Sequence, residues 1–349
     1  MANLHGGGAE RVTTNIIKQL DKEKFDITLL MVLKEGVFLN EIPSYVNIID
    51  LNVKKTIFSI FKLYRVIAKI RPDIIYSTMI HTSIALDIAL SFIKSLPYSI
   101  LRNPTSPKLL MEEGQLSFIW RFFLLRAYRN ASKILAQTPE MKNEITQYYK
   151  VRQKKIDILI NPLDTENMDN KIKSIENPFN VNKINIVSAG RLTYAKAFDT
   201  LLYAFEKVLK ENNNFMLHII GRDDGEEKKL KELCKILAIE EYVNFLGFQE
   251  NPYKYFYYSD LYVLSSRREG LPNTVLENLY FKKPIIATDC IPFMYELIDN
   301  GKNGFIVHVD DPYSMAKAIL NFKKLKYDES KKFIMNNINS YFNKIESLV

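Results

Sequence analysis

D-L-Y-V-L-S-S-R-R-E-G-L-P-N-T-V-L-E, Asp260 to Glu277, is the stretch from which the rest of the chain is read. Its first five residues form an apolar run of strand length. A Gly-Leu-Pro turn follows Glu269, and Glu277 stands eight positions further on, about two turns into a helical stretch. A strand that ends in a turn and feeds a helix is one unit of an α/β sheet. It aims both carboxylates, from the helix start and its first turns, at one place. An ionised carboxylate only accepts hydrogen bonds, and hydroxyls are donors that suit it. Two fixed acceptors that far apart suit a polyhydroxylated ligand better than a metal ion or a lone acid.

The same alternation continues on either side. Toward the N-terminus, strands are predicted at 25–32, 73–77, 99–101, 131–136 and 156–160, with helices at 11–20, 57–70, 81–95 and 117–128 between them. A second series places strands at 184–189, 215–220, 243–245, 261–264, 285–287 and 304–307. Short apolar runs alternating with helical patterns mark a doubly wound parallel sheet. Residues 166–182 are rich in Asn, Lys and Asp and read as a linker. The expected architecture is therefore α/β, with two Rossmann-like domains, 1–165 and 183–330, facing a cleft. Residues 331–349 are expected to form a helix packing back toward the first domain. In such folds ligands bind beyond the carboxyl ends of the strands.

A Rossmann half normally opens with a buried strand before its glycine turn. Here only Met1 to His5 precede Gly6-Gly7-Gly8. The first strand is thus expected to be missing through truncation, unless another segment forms an ordered strand in the central slot. The glycine turn itself lets backbone approach phosphates at a helix start. It lacks the G-x-G-x-x-G spacing, and Asp26 lies at a strand start rather than its end, so a dinucleotide site is disfavoured. A tight strand-to-helix turn explains the glycines equally.

Composition bounds the function. With 349 residues, 47% hydrophobic and 25% charged, the chain is long enough for two globular domains. The longest apolar stretch, 74–101, is broken by His81, Asp87 and Lys94, which argues against a membrane span. No signal peptide is recognisable, and the two cysteines, Cys234 and Cys290, make no disulfide framework or zinc site. A reducing, cytoplasmic setting is expected. Residues 1–155 hold 23 Lys and Arg against 13 Asp and Glu, so the net charge of +8 is concentrated there. Such a half suits nucleic acid, anionic lipid or a phosphate-bearing substrate, or is simply a solvated surface. No nucleic-acid reading module is present, and nucleic acid is not an expected partner.

The second domain opens with a more specific element. The strand 184–189 ends in Gly190-Arg191-Leu192, and Lys196 follows five residues after the Arg. A guanidinium fork and an ammonium at a strand's carboxyl end suit a diphosphate and the charge that builds on a leaving group. On spacing alone, a surface Arg and Lys near a helix start reads equally well.

G-R-L-x-x-x-K followed by E-G-x-x-x-x-x-x-E resembles the retaining glycosyltransferases of family four, which have the GT-B fold. Further landmarks agree over nearly the whole chain: G-G-G-A-E-R (6–11), L-A-Q-T (135–138), I-N-P-L-D (160–164), G-F-Q-E-N-P-Y (247–253), A-T-D (287–289) and N-G-F-I-V (303–307). The resemblance is nearest to bacterial enzymes that build lipid-linked oligosaccharides, capsule or O-antigen, including N-acetylgalactosaminyl transferases. It implies that Arg191 and Lys196 grip the donor diphosphate, that Glu277 accepts the ribose hydroxyls and that Glu269 faces the donor sugar. Gly190, Gly270, Leu271, Pro272, Asn273 and Thr274 would line the donor, Gly247 and Phe248 the base, and Gly7 and Gly8 the diphosphate or sugar. His81 would stand near the reacting sugar, unless it caps or packs a helix start. Arg102 and Asn103 would touch the acceptor, unless they only shape a turn. The implied reaction is metal-independent transfer of a hexose or N-acetylhexosamine from a UDP-sugar, a co-substrate rather than a cofactor, to a lipid-linked or glycan acceptor. No cofactor is implied. A same-fold epimerase or a non-catalytic sugar-nucleotide sensor would share most of these features.

The chain departs from the pattern at Ala197, where the family has Gly, and at Cys290-Ile291-Pro292-Phe293-Met294, where small residues are usual. The donor sugar is therefore open. Helix 57–70 and the stretch F-I-W-R-F-F (118–123) mix aromatics with Lys and Arg, which suggests peripheral contact with an anionic membrane face.

Overall fold

The computed structural model describes residues 1–112, 116–325 and 341–343. The chain forms two compact units, residues 1–164 with 335–349, and residues 165–334.

Unit 1 carries α1 (Gly8–Gln19), β1 (Thr28–Met31), β2 (Asn47–Asp50), α2 (Ile60–Ile70), β3 (Ile74–Ser77), α3 (Ile80–Leu90), β4 (Tyr98–Arg102), α4 (Pro107–Glu112), α5 (Phe118–Asn130), β5 (Lys133–Ala136), α6 (Pro139–Tyr149) and β6 (Ile156–Ile158). All strand pairs are parallel. They fall into two sheets, β1-β2 and β3-β4-β5-β6. Ile84, Leu101, Leu124, Tyr128, Ile134 and Tyr149 fill the core on one side of the larger sheet. Val12, Ile16, Ile100, Leu135 and Phe342 form another cluster, in which the Phe342 ring meets Phe25 and Tyr76. Of the helix expected at 331–349, only 341–343 lie among the described residues, and these pack on unit 1.

Between β1 and β3 the two sheets are unjoined. A groove of about 730 Å³ lies there, walled by residues such as Leu29, Ile17, Ile67, Ile75 and Phe342. Among the described residues no strand fills it. Met1 and Ala2 run alongside β1 as a strand would: Val32 N–H donates to the Met1 carbonyl and Leu33 N–H to that of Ala2, at 3.0 Å each. The Met1 ammonium donates to the Leu30 carbonyl at 2.9 Å, and burial pushes its pKa down to about 6.

Unit 2 contains α7 (Thr165–Asn170), β7 (Ile184–Ala189), α8 (Phe198–Glu211), β8 (Phe215–Ile220), α9 (Glu227–Ile236), β9 (Val243–Gly247), α10 (Tyr253–Tyr258), β10 (Leu261–Leu264), α11 (Asn273–Tyr280), β11 (Ile285–Thr288), α12 (Met294–Leu297), β12 (Gly304–Val307) and α13 (Pro312–Asn321). One six-stranded parallel sheet runs β12-β11-β10-β7-β8-β9. The chain starts in the middle at β7, winds outward to β9, then crosses to β10 and winds the other way. The loops leaving β7 and β10 therefore part to opposite faces, and a crevice opens at the switch between them. β7, β8, β10 and β11 are buried along nearly their whole length, which is why each reads as a continuous apolar run.

Two segments differ from the sequence expectation. β2 was not anticipated: it is an edge strand whose Asn47 and Asp50 are exposed, so its apolar signal is only Ile48-Ile49. The polar stretch 166–182 is not a free linker. Met168 and Phe179 are buried, Tyr280 donates to Asp169 at 2.8 Å, and Tyr258 donates to the Ile175 carbonyl at 2.6 Å. A few anchors hold an otherwise hydrophilic segment against unit 2.

Candidate active site

The switch point between β7 and β10 brings Gly190, Lys196 and Glu269 together. Gly190 and Arg191 leave the end of β7. A short turn over Tyr194–Lys196 follows, and α8 begins at Phe198. The segment leaving β10 pins that turn. The Ser265 hydroxyl donates to the Lys196 carbonyl at 2.8 Å, and the Arg267 backbone N–H donates to the Ala195 carbonyl at 2.8 Å. The Arg267 guanidinium lies over the Tyr194 ring, 4.1 Å from its centroid, and bridges to Asp199 at 2.7 Å and Asp310 at 2.8 Å. Together these contacts fix the backbone that carries Lys196.

Lys196 then reaches across the switch. Its ammonium donates to Glu269 Oε1 at 2.5 Å, and the Ser266 hydroxyl donates to the same oxygen at 2.7 Å. The side chains of Lys196 and Glu269 are only 22% and 12% exposed. Gly190 makes room for this reach: a Cβ there would stand 2.9 Å from Lys196 Cε. Gly221, after β8, packs tighter still, since its Cβ would lie 1.8 Å from the Gly190 carbonyl oxygen. Ala197 adopts φ 50° and ψ 43° and is fully buried. That left-handed conformation favours glycine, so the departure from Gly at this position carries backbone strain.

Leu271 and Pro272 are buried at the entry to α11. Asn273 and Thr274 open the helix, half-buried, and Thr274 Oγ1 accepts from the Tyr262 hydroxyl at 2.6 Å. Burial pushes the Tyr262 phenol well above its ordinary pKa. The carboxylates of Glu269 and Glu277 push it the same way. Tyr262 thus stays protonated between the two carboxylates. Glu277 is buried in the second turn of α11. Gly247 ends β9 with φ 64°, and its carbonyl accepts from the Gly221 N–H at 2.9 Å. Phe248 beyond it is exposed.

Arg191 is looser. Its side chain is 60% exposed and meets Asp224 at 3.3 Å. Asp223 accepts the backbone N–H groups of Gly225, Glu226 and Glu227, which hold its pKa below the ordinary carboxylate value. The Asp-Asp pair is thus occupied by a turn and by Arg191.

Sequence reasoning missed Ser265, Ser266 and Arg267 as site builders, although S-S-R directly follows the β10 run. Cys290 was placed only as the first residue of a loop that departs from the family pattern. Burial pushes the Cys290 thiol up to about 12, and the Glu269 carboxylate adds to the rise.

In unit 1, Gly7 caps α1, and the Glu10 side chain folds back to within 2.2 Å of where a Gly7 Cβ would stand. Gly8 is the first residue of α1. His81 is exposed in the first turn of α3. Desolvation, and then the charge of the N-terminal ammonium, lower its pKa. Arg102 and Asn103 are buried at the end of β4. Arg102 donates to Thr78 at 3.2 Å and to Asn161, Tyr128 donates to the Asn103 side chain at 2.9 Å, and Gln137 donates to the Asn103 carbonyl at 2.8 Å. This network ties the ends of β3, β4, β5 and β6 together.

Comparison with known proteins matches both units. Residues 6–167 fit the family model described as Glycosyltransferase Family 4, and residues 169–340 fit that described as Glycosyl transferases group 1. A Haemophilus influenzae protein described as an uncharacterized glycosyltransferase is 29% identical over 321 residues, spanning 90% of this chain and 86% of its own length. A Campylobacter jejuni protein, an N-acetylgalactosamine-N,N'-diacetylbacillosaminyl-diphospho-undecaprenol 4-alpha-N-acetylgalactosaminyltransferase, is 29% identical over 231 residues. That match spans 65% of this chain and 61% of the relative. In fold, the crystal structure of Anabaena HepE in complex with UDP-glucose superposes with a TM-score of 0.80 at 19% identity, covering 100% of this chain and 98% of that one. The chain belongs to the family-four glycosyltransferases of GT-B fold, with the family-four model on unit 1 and the group-1 model on unit 2.

Proposed function

We propose that the chain moves a hexose or N-acetylhexosamine from a UDP-sugar to a lipid-linked or glycan acceptor, with retention of anomeric configuration and without a metal ion. Its place would be bacterial surface-polysaccharide or glycoprotein-glycan assembly at the inner membrane face. The observation that carries the donor half is the Lys196–Glu269 pair across the β7/β10 switch, beside the backbone of Gly190. It puts a cation and a hydroxyl acceptor at one point of the crevice where this fold takes nucleotides. The UDP-glucose complex of the Anabaena neighbour and the diphospho-undecaprenol substrate named for the Campylobacter relative favour a UDP donor and a lipid-linked acceptor.

In this reading Lys196 and Arg191 hold the donor diphosphate, and Glu277 takes the ribose hydroxyls. Glu269 accepts from the sugar hydroxyls through the oxygen not engaged by Lys196 and Ser266. The bond from the anomeric carbon to the β-phosphate oxygen breaks with its electron pair leaving on UDP. The acceptor oxygen attacks the same face, and its proton passes to the departing phosphate oxygen. The two cations offset the charge that grows on that phosphate, and electrostatic stabilisation of this kind contributes several kcal/mol, about 3 per well-placed donor.

Calorimetric titration with UDP, GDP, ADP and NAD tests the donor site. UDP is expected to bind, and Glu277→Ala to weaken it. Incubation with a UDP-sugar panel and a short-chain polyprenyl-diphosphate glycan then reads transfer, and nuclear magnetic resonance reads the anomer. UDP binding with inversion of the anomer would refute retention alone; tighter binding of GDP or ADP would refute the donor assignment.

A further inference from the structure

The two cations of the candidate site are held in opposite ways. Lys196 pairs with Glu269, and both side chains are largely buried. Arg191 and Asp224 are exposed, at 60% and 44%, and Arg191 Nη1 meets Asp224 Oδ2 at 3.3 Å. Among the described residues the Asp224 carboxylate has no other partner. The neighbouring carboxylates are engaged elsewhere: Glu226 by Lys229 at 2.8 Å and Glu227 by Lys231 at 2.6 Å. Asp223 accepts the backbone N–H groups of Gly225, Glu226 and Glu227 at 2.9–3.0 Å, and Gly225 turns the chain with φ 98°. The backbone on the Arg191 side is fixed as well. The ladder between β7 and β8 runs on past the strand ends, because Gly190 N–H donates to the Ile220 carbonyl and Leu192 N–H to the Arg222 carbonyl, each at 2.9 Å. Arg191 stands between these two rungs. The rungs and the turn keep Asp224 within reach of Arg191, while the exposed side chains are free to part.

We infer that Asp224 is a built-in competitor for Arg191, displaced when a nucleoside diphosphate binds and restored as it leaves. The inference rests on the reading of unit 2 as a donor site in which Arg191 holds the diphosphate. An exposed ion pair is worth little, since water solvates both partners once it opens. A diphosphate brings more negative charge and more acceptor oxygens than one carboxylate, and it matches the guanidinium fork, so it takes Arg191 from Asp224. The exchange lowers the affinity for donor and for released nucleotide alike, because Arg191 gives up one partner to gain the other. Weakening both equally leaves the chemical step untouched and speeds departure of the nucleotide. Asp224 is thus a positioning residue, acting through Arg191 rather than on the reacting atoms.

The full chain, Asp224→Asn, Arg191→Gln and the double variant are titrated calorimetrically with UDP and with uridine, which carries no phosphate. Arg191→Gln should weaken UDP about tenfold. Asp224→Asn should tighten UDP about three- to fivefold and leave uridine unchanged, with the gain in slower UDP dissociation read by stopped-flow displacement. Asp224→Ala, which leaves no group to bond the guanidinium, should match Asp224→Asn. In the Arg191→Gln background the gain should vanish, and unchanged circular dichroism controls for folding. An equal gain in both backgrounds would mean that Asp224 acts only by its field on the phosphates. Weaker UDP binding by Asp224→Asn would mean that it holds Arg191 ready for the ligand. Either result overturns the proposal. Tenfold weakening by Arg191→Gln with no gain from Asp224→Asn sinks the competitor alone, whereas UDP binding that ignores Arg191→Gln refutes the donor role of Arg191 itself.

Discussion

Replacing Lys196 by Ala leaves Glu269, 12% exposed, without the ammonium that now sits 2.5 Å from it. At an effective dielectric near 20, such a pair attracts by about 4 kcal/mol at 4 Å, and lost hydration offsets part of that. Breaking a buried pair from one side costs about 3–5 kcal/mol. The residual exposure on both partners lowers this to about 2–3 kcal/mol. Glu269→Gln in the same chain removes the stranded charge, so the double variant should be more stable than Lys196→Ala alone. Urea unfolding by circular dichroism at pH 8 on the four proteins reads the coupling. Additivity within about 0.5 kcal/mol would mean that the two groups do not act on each other, and the argument for a coupled pair at the switch point would fail.

The same site makes other demands. Lys196→Ala should weaken UDP about 10- to 100-fold, the worth of one charge-assisted hydrogen bond, whereas Glu269→Gln should leave UDP affinity equal or tighter while abolishing transfer; calorimetry and a transfer assay separate the two. Gly190→Ala should displace Lys196, cost UDP affinity, and lower stability by no more than about the 2–3 kcal/mol that loss of the Lys196–Glu269 pair costs. Gly221→Ala drives a methyl into backbone and should cost about 3 kcal/mol, seen as a lowered Tm. Ala197→Gly should stabilise by about 1 kcal/mol, because it relieves a left-handed alanine. His218, buried against Phe179 and Asn185, has its pKa pushed down to about 4 by burial. The unfolded chain therefore binds more protons than the native one between pH 6.5 and 4. Stability present above pH 6.5 should fall by about 3 kcal/mol across that window, and His218→Gln should flatten the fall in urea titrations.

Unit 2 was legible because its strands are covered on both faces. Ile184–Ala189 and Leu261–Leu264 have no reason to alternate, and their apolar runs stand out between helices. The two cations and two carboxylates were legible as residue types at the ends of such runs. Their bonding was not. The Lys196–Glu269 contact spans 73 residues, and nothing local in Thr193-Tyr194-Ala195 says that Ser265 and Arg267 will hold that turn. Arg102 and Asn103 read equally as acceptor contacts or as a turn after a strand, and the packing of Tyr128, Gln137 and Asn161 around them was not legible, because those partners lie 25 to 59 residues away. Thr165–Asn170 was lost for the opposite reason: Met168 and Phe179 are too few against so much Asn and Lys to show as a packed segment.

The groove between β1 and β3 bears on how unit 1 comes apart. A hydrogen-bonded ladder spreads stability across a sheet, so that its strands open together. Here, among the described residues, no ladder joins the β1-β2 pair to β3-β6, and the two meet across a groove walled by α1 and α2. The amides of Ile48 and Ile49 should therefore exchange with solvent through a partial opening that leaves Ile100 and Ile134 protected, and native-state hydrogen exchange should find two cooperative blocks inside one compact unit.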